Sequence, residues 1–216
     1  MCGRFSLHHP TDEIHEHFNI VRPVFLVEPR YNIAPTQPIA VVTPARALVR
    51  MRWGLVPRWS KDGKPFINAR GESLAEKPSF RNAFRERRVI VPLSGFYEWR
   101  VDGKLRVPLY FRLRDRAPIG VAAIWEPSAD PRGPAGVALI TVAANDVVRP
   151  VHDRMPAFLP RENEAAWLDP GSDHPEALLR SFPAEAMESF TVSSRVNGVK
   201  EDDPSLIEPQ RHGLFG

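Results

Sequence analysis

The second residue is the only cysteine of the chain, and its place behind Met1 makes it chemically unlike an internal one. With Met1 removed, Cys2 presents an α-amine and a thiol on adjacent carbons. Such a 1,2-aminothiol condenses with an aldehyde through its amine to give an imine. The thiol then closes a five-membered thiazolidine on the same carbon. Reference pKa values of about 8 for the amine and about 8.5 for the thiol predict a usable nucleophilic fraction of each near neutrality. The competing reading of a lone cysteine is a small, inert hydrophobe.

Other polar groups sit in apolar, proline-pinned contexts. Glu98 lies between Tyr97 and Trp99, just after an apolar run. A carboxylate so placed would be desolvated, its pKa raised, and suited to proton transfer; the alternative is an outward-facing strand glutamate. His152 falls in a loop bounded by Pro150 and Pro156, and imidazole titrates in the range where it can both give and take a proton. Asn68 and Arg70, two apart on an extended segment, point to one side; a turn asparagine and a surface arginine are the alternatives. Trp53, Trp59 and Trp99, which lie near basic residues, can stack on exposed bases or fill a core.

Metal and nucleotide chemistry are not expected. His8, His9, His15 and His17 have no second cysteine and no His-Glu-x-x-His pattern to complete a site, and His15 and His17 face different sides of a helix. Gly54, Gly63, Gly95 and Gly103 form neither a phosphate loop nor a dinucleotide fingerprint. The lone cysteine also excludes a disulfide framework and points to a reducing, intracellular compartment. The first residues carry Arg4, His8, His9, Asp12 and Glu13, so neither a signal peptide nor a membrane span is expected.

These groups must be positioned by the rest of the chain. Its 216 residues suit one domain. β-rich or alternating runs recur at Ala47–Trp53, 88–92, 107–113, 119–125, 137–143 and 190–196. Short helices are expected after Thr11 as N-cap, with Ile14 and Phe18 inward, and over 79–86, 145–148, Arg161–Leu168 and 174–181. The pattern predicts a single α+β domain over residues 1–216. Its curved, mostly antiparallel, barrel-like sheet carries short peripheral helices and functional loops at its edges. The core is expected over 2–196, with a loosely attached polar tail over 197–216. Residues 1–116 hold 21 Lys and Arg against 11 Asp and Glu, while 117–216 hold 8 against 15. A basic first half rich in arginine is either a solvated surface or a face for a polyanion.

Six separated segments then combine in order: Met-Cys-Gly-Arg at 1–4, Asn-Ile-Ala-Pro at 32–35, Arg-Trp-Gly-Leu-Val-Pro at 52–57, Asn-Ala-Arg at 68–70, Ser-Gly-Phe-Tyr-Glu-Trp at 94–99 and His-Asp-Arg-Met-Pro at 152–156. Together they closely resemble the SOS response-associated peptidase (SRAP) family over roughly residues 2–196. The resemblance implies a protein that removes its own initiator methionine, crosslinks itself to abasic sites in single-stranded DNA and shields them. It further implies Cys2 as the crosslinking residue, with Asn68, Glu98 and His152 as the polar groups around it. Arg4 and Arg70 match arginines that contact DNA phosphates, and Pro35, Trp59 and Trp99 fall in segments lining the DNA-facing cleft. Asp153 departs from the asparagine frequent in the family. A monomer without cofactor or metal is expected. Two alternatives stay open: an N-terminal-nucleophile amidohydrolase, which has no need of a basic first half, and a non-covalent module that reads a flipped, modified base.

Overall fold

A strand that returns to its starting edge sets the architecture. A computed structural model describes residues 2–23, 25–60 and 63–210. Its strands are β1 (Phe5–Leu7), β2 (Arg22–Pro23), β3 (Arg30–Ile33), β4 (Pro38–Val42), β5 (Ala47–Trp53), β6 (Asn68–Arg70) and β7 (Arg88–Leu93), followed by β8 (Gly95–Asp102), β9 (Leu105–Leu113), β10 (Ile119–Glu126), β11 (Gly136–Ala143), β12 (Arg154–Pro156), β13 (Phe158–Leu159) and β14 (Met187–Thr191). The α-helices are α1 (Thr11–His17), α2 (Arg81–Glu86) and α3 (Arg161–Leu168).

Five strands close a barrel in the order β5, β4, β7, β10, β11. Neighbours are antiparallel until β11 meets β5 in parallel, pairing Gly136 with Arg52 and Val137 with Trp53. Glycine is needed at that seam, because a Cβ on Gly136 would lie 2.5 Å from the Gly54 carbonyl oxygen. Strands β7, β10 and β11 are buried along nearly their whole length. One face fills the barrel, and the other is covered by α2, α3 and the second sheet.

The second sheet runs β14, β9, β8, β1, β3. Strands β8 and β9 form one long hairpin whose two-residue turn begins at Gly103 with φ +59, a conformation glycine adopts without steric cost. Strand β1 is only three residues long yet lies between β8 and β3, with Phe5 opposite both Phe96 and Ile33. The Phe5 ring packs on Trp53 of the barrel at 4.9 Å, so the two sheets share one core.

The expected α+β fold with a barrel-like core is therefore present, and β5 and α3 occupy their expected ranges. The departures have local causes. Helix α1 is entered through Pro10 as N-cap, while the Thr11 hydroxyl bonds the Val27 backbone instead. At 145–148 the Asn145 side chain accepts from the Val147 and Val148 N–H groups and holds a turn rather than a helix. Over 174–181 only a 3₁₀ turn, Pro175–Leu178, forms. The 190–196 strand ends early because Ser193 accepts from the Arg195 N–H and starts the turn Ser194–Asn197. Of the segments that carry the candidate site residues, four lie in or beside the short strands β1, β3, β6 and β12, and the fifth begins the long strand β8.

The tail is not loose through residue 210. The buried Asn32 amide donates to the carbonyls of Gly198 and Glu201 at 2.9 and 2.7 Å, and Asp202 accepts from the Tyr31 and Asn32 N–H groups. Leu206 is fully buried among Tyr97, Tyr110, Val192 and Val196. Residues 211–216 lie outside the described residues. Asn32→Ala removes the donor and leaves those carbonyls without it, which should cost about 2–3 kcal/mol. Urea unfolding followed by tryptophan fluorescence measures this; an unchanged midpoint would mean that Asp202 and Leu206 fasten the tail without Asn32.

Candidate active site

Strand pairing brings the chain start to Glu98. The Tyr97 N–H donates to the Arg4 carbonyl at 2.9 Å, and continuing the Phe5–Phe96 register sets Gly3 opposite Glu98. From the other side, β6 lies parallel on β11 with Asn68 opposite Leu139. There Asn68 Nδ2 donates to the Cys2 carbonyl at 2.8 Å. His152 sits just before β12, which pairs with the same β11. Asn68 and His152 thus come from strands attached to the barrel, and Cys2 and Glu98 from the second sheet. A cleft of about 500 Å³ opens beside them, lined by Gly3, Arg4, Glu98, Trp99, Arg106, His152 and Asn197. Cys2 is fully buried beside it.

Burial controls the site's acid–base behaviour. It pushes the Cys2 thiol well above its ordinary pKa, and the neighbouring Glu98 carboxylate adds to the shift. The thiol therefore stays protonated near neutrality, which overturns the expectation drawn from its reference pKa. Its Sγ lies 3.8 Å from the Arg4 carbonyl. Glu98 is 5% exposed and does not face outward; burial raises its pKa while His152 pulls the other way. His152 Nδ1 accepts from the Arg154 N–H at 2.9 Å, and Asp153 Oδ1 lies 2.9 Å from the same nitrogen. That nitrogen accepts when bare and donates to Asp153 only when protonated, so the two contacts are alternatives.

The two expected phosphate arginines differ. Arg4 lines the cleft, but its Nη1 donates to Asn32 Oδ1 at 2.7 Å and the Val196 carbonyl at 2.6 Å. Burial lowers its pKa. It pins the amino end to β3 and the tail as well as facing the cleft. Arg70 is exposed, and it shares a strand face with Asn68 while Ala69 points into the core. Among the tryptophans, Trp53 is core, fully buried with its indole donating to the Ile67 carbonyl. Trp99 lines the cleft, and its Nε1 donates to Asn197 Oδ1 at 2.7 Å. Trp59 is exposed in the turn after Pro57, and Pro35 is half-buried in the β3–β4 turn; neither lines this cleft.

Arg106 and Asn197 line it without having been anticipated. Arg106 is one of many arginines until the hairpin register is known, and Asn197 sits in a turn carrying no motif. Among the described residues, no group of three or more His, Cys, Asp or Glu side chains is placed to hold a metal ion, and no helix is long and apolar enough to cross a membrane. The arrangement suits proton transfer around an electrophile at Cys2, with cations beside it for an anionic ligand.

The profile of the SOS response associated peptidase (SRAP) family matches residues 1–199. The chain is 41% identical over 224 residues to the abasic site processing protein YoqW of Bacillus subtilis, covering 96% of this chain and 99% of that one. It is 30% identical to the abasic site processing protein HMCES of Gallus gallus over 78% of this chain and 59% of that one. A crystal structure of a protein from Bacteroides thetaiotaomicron superposes with a TM-score of 0.88 at 24% identity, covering 97% of this chain and all of that one.

Because burial raises the folded-state pKa of Glu98, the folded chain holds that proton more tightly than the unfolded chain. The penalty of ionising it is absent below the unfolded value of about 4.3 and grows as pH rises through the higher folded one. Glu98→Gln should therefore melt above the parent at pH 7.5, with the advantage shrinking toward pH 4. Thermal midpoints across that range decide it, with Met1 in the same state in both proteins. A difference independent of pH would remove Glu98 as a raised-pKa group.

Proposed function

The chain belongs to the SOS response-associated peptidase family, and we propose that it processes abasic sites in single-stranded DNA by joining itself to them covalently through Cys2. The observation that carries this reading is the meeting of Cys2, Glu98 and Asn68 beside a cleft lined by Glu98 and two arginines. An amidohydrolase needs the first three groups but not the cations.

The reaction builds up from those groups. Hydrolysis of the Met1–Cys2 peptide bond, catalysed by the chain itself, consumes one water and frees the Cys2 amine. The hydrogen bond from Asn68 holds the Cys2 carbonyl and so fixes where that amine points. Opening of the sugar exposes the C1′ aldehyde; the amine adds, and water departs as the imine forms. Glu98 in its neutral form supplies the proton that ring opening and dehydration require. The thiol then attacks the imine carbon. Its proton passes to the Glu98 carboxylate as the carbon–sulfur bond forms, and the iminium becomes a ring amine. Two opposite charges disappear in that step, which a buried site favours. Ring closure also removes the imine that would otherwise acidify C2′ and break the strand by β-elimination.

Denaturing electrophoresis with abasic single-stranded DNA tests the proposal. The processed chain should give a heat-stable shifted band, and its intact mass should lack one methionine. Cys2→Ala should lose the stable band and retain at most a reducible imine with some strand cleavage; a stable band at parent level from that variant would sink the reading. Glu98→Gln, with its amino end verified, should crosslink about a hundredfold more slowly. His152→Ala should slow both formation and release, read as slower transfer of the protein to excess competitor DNA. Retarded migration only without denaturant would favour a non-covalent module.

A further inference from the structure

We propose that Arg106 and Asn197 form a phosphate-binding pair on the Trp99 side of the cleft, holding the DNA backbone next to the lesion. This rests on the abasic-site reading and extends it to residues outside the six sequence motifs. The hairpin explains why Arg106 is there. Trp99 pairs with Pro108, and Val101 with Arg106. Paired residues share a sheet face and alternate residues along a strand return to it, so Trp99, Val101, Arg106 and Pro108 lie on one face. Arg106 is thus the diagonal cross-strand neighbour of Trp99, two residues from Pro108 along β9, and both line the cleft.

Its guanidinium is exposed and makes no hydrogen bond, ion pair or ring contact with the described residues. The cleft's other arginine differs, since Arg4 spends Nη1 on two protein acceptors and is partly desolvated. An uncommitted planar fork suits a phosphodiester, which it can hold bidentately. Glu98 lines the same cleft, where burial raises its pKa.

Asn197 completes the pair. Its Oδ1 accepts from the Trp99 indole, which fixes the amide so that Nδ2 remains as a donor at the cleft. It is in turn set by the fastened tail, since Val196 receives Arg4 and Asn32 while Arg195 binds Glu201 and Asp203. The Arg4 guanidinium already lies over the Trp99 ring, 5.8 Å from its centroid, so one nucleotide can place its phosphate between Arg106 and Asn197 beside that pair.

The test is equilibrium binding of undamaged single-stranded DNA, which offers no aldehyde to trap, across a salt series in a Cys2→Ala background. Adding Arg106→Ala should flatten the log–log salt slope by about 0.7, the loss of one phosphate contact, and Arg106→Lys should largely restore it. Asn197→Asp keeps the acceptor for Trp99 but sets a negative charge against the phosphate, so it should bind more weakly than Asn197→Ala. An unchanged slope in Arg106→Ala, or parent-level binding by Asn197→Asp, overturns the pairing. If either occurs while the Cys2 protein still crosslinks abasic DNA, only this inference fails. If the Cys2→Ala protein binds no single-stranded DNA and the Cys2 protein gives no crosslink, the functional reading falls with it.

Discussion

The pairing of Phe5 with Phe96 on one side and Ile33 on the other is the contact from which the active site follows. A chain terminus ordinarily frays, because few contacts repay the entropy of ordering it. Here a three-residue strand is inserted between two others, and the Phe5 ring is buried against Trp53. Burying such a ring contributes about 2–3 kcal/mol, to which the Tyr97–Arg4 and Asn68–Cys2 hydrogen bonds add. Cys2, the candidate reactive residue, is therefore placed by the rigid core. Preorganisation of that kind lowers the entropic cost of reaching a reactive geometry.

The same burial sets a chemical problem. A buried thiol and a buried carboxyl each resist ionisation, and each resists it more when the other is charged. The site cannot hold a standing thiolate beside a standing carboxylate. In the proposed reaction, transfer of the thiol proton to the Glu98 carboxylate is what lets the sulfur attack. Exposed Asp153 contributes little by comparison, since solvent screens its charge. Coupling of this kind makes the groups titrate together, so removing one changes the behaviour of the others.

Much of this was legible in the sequence, and the rest was not for identifiable reasons. The strands with strong apolar runs, β5, β7, β10 and β11, were readable because burial on one or both faces leaves a clear pattern. Strands β1 and β12 were not, because three residues carry no periodicity, whereas β6 was legible as the extended segment of Asn68 and Arg70; all three pair with other strands. Cys2, Asn68, Glu98 and His152 were singled out by residue type and context, yet their meeting around β11 and β8 depends on long-range register. Arg4 was read as a phosphate contact, and its internal acceptors, Asn32 and the Val196 carbonyl, lie far away in sequence. The tail was misread for a related reason. Its polar, proline-interrupted composition resembles that of a loose segment, but its acidic and carbonyl groups answer donors on β3.

That fastening gives the tail a bearing on the chemistry. Val196, Asn197 and Glu201 connect Arg4, Trp99 and Asn32 through direct hydrogen bonds, so one wall of the cleft is built from residues almost two hundred positions after Cys2. Asn32 is the shared partner: its Oδ1 receives Arg4 while its Nδ2 reaches the tail. A buried amide that satisfies both sides at once is costly to disturb, because each lost partner leaves another polar group unpaired. The link between chain start and tail is thus cooperative. Loosening the tail would take the Val196 acceptor from Arg4 and the Asn197 acceptor from Trp99 together, whereas the barrel, closed on itself through Gly136, would keep its own pairing. The cleft should accordingly open at the tail side before the fold is lost, which sets the Trp99 wall, rather than the Cys2 end, as the adjustable part of the site.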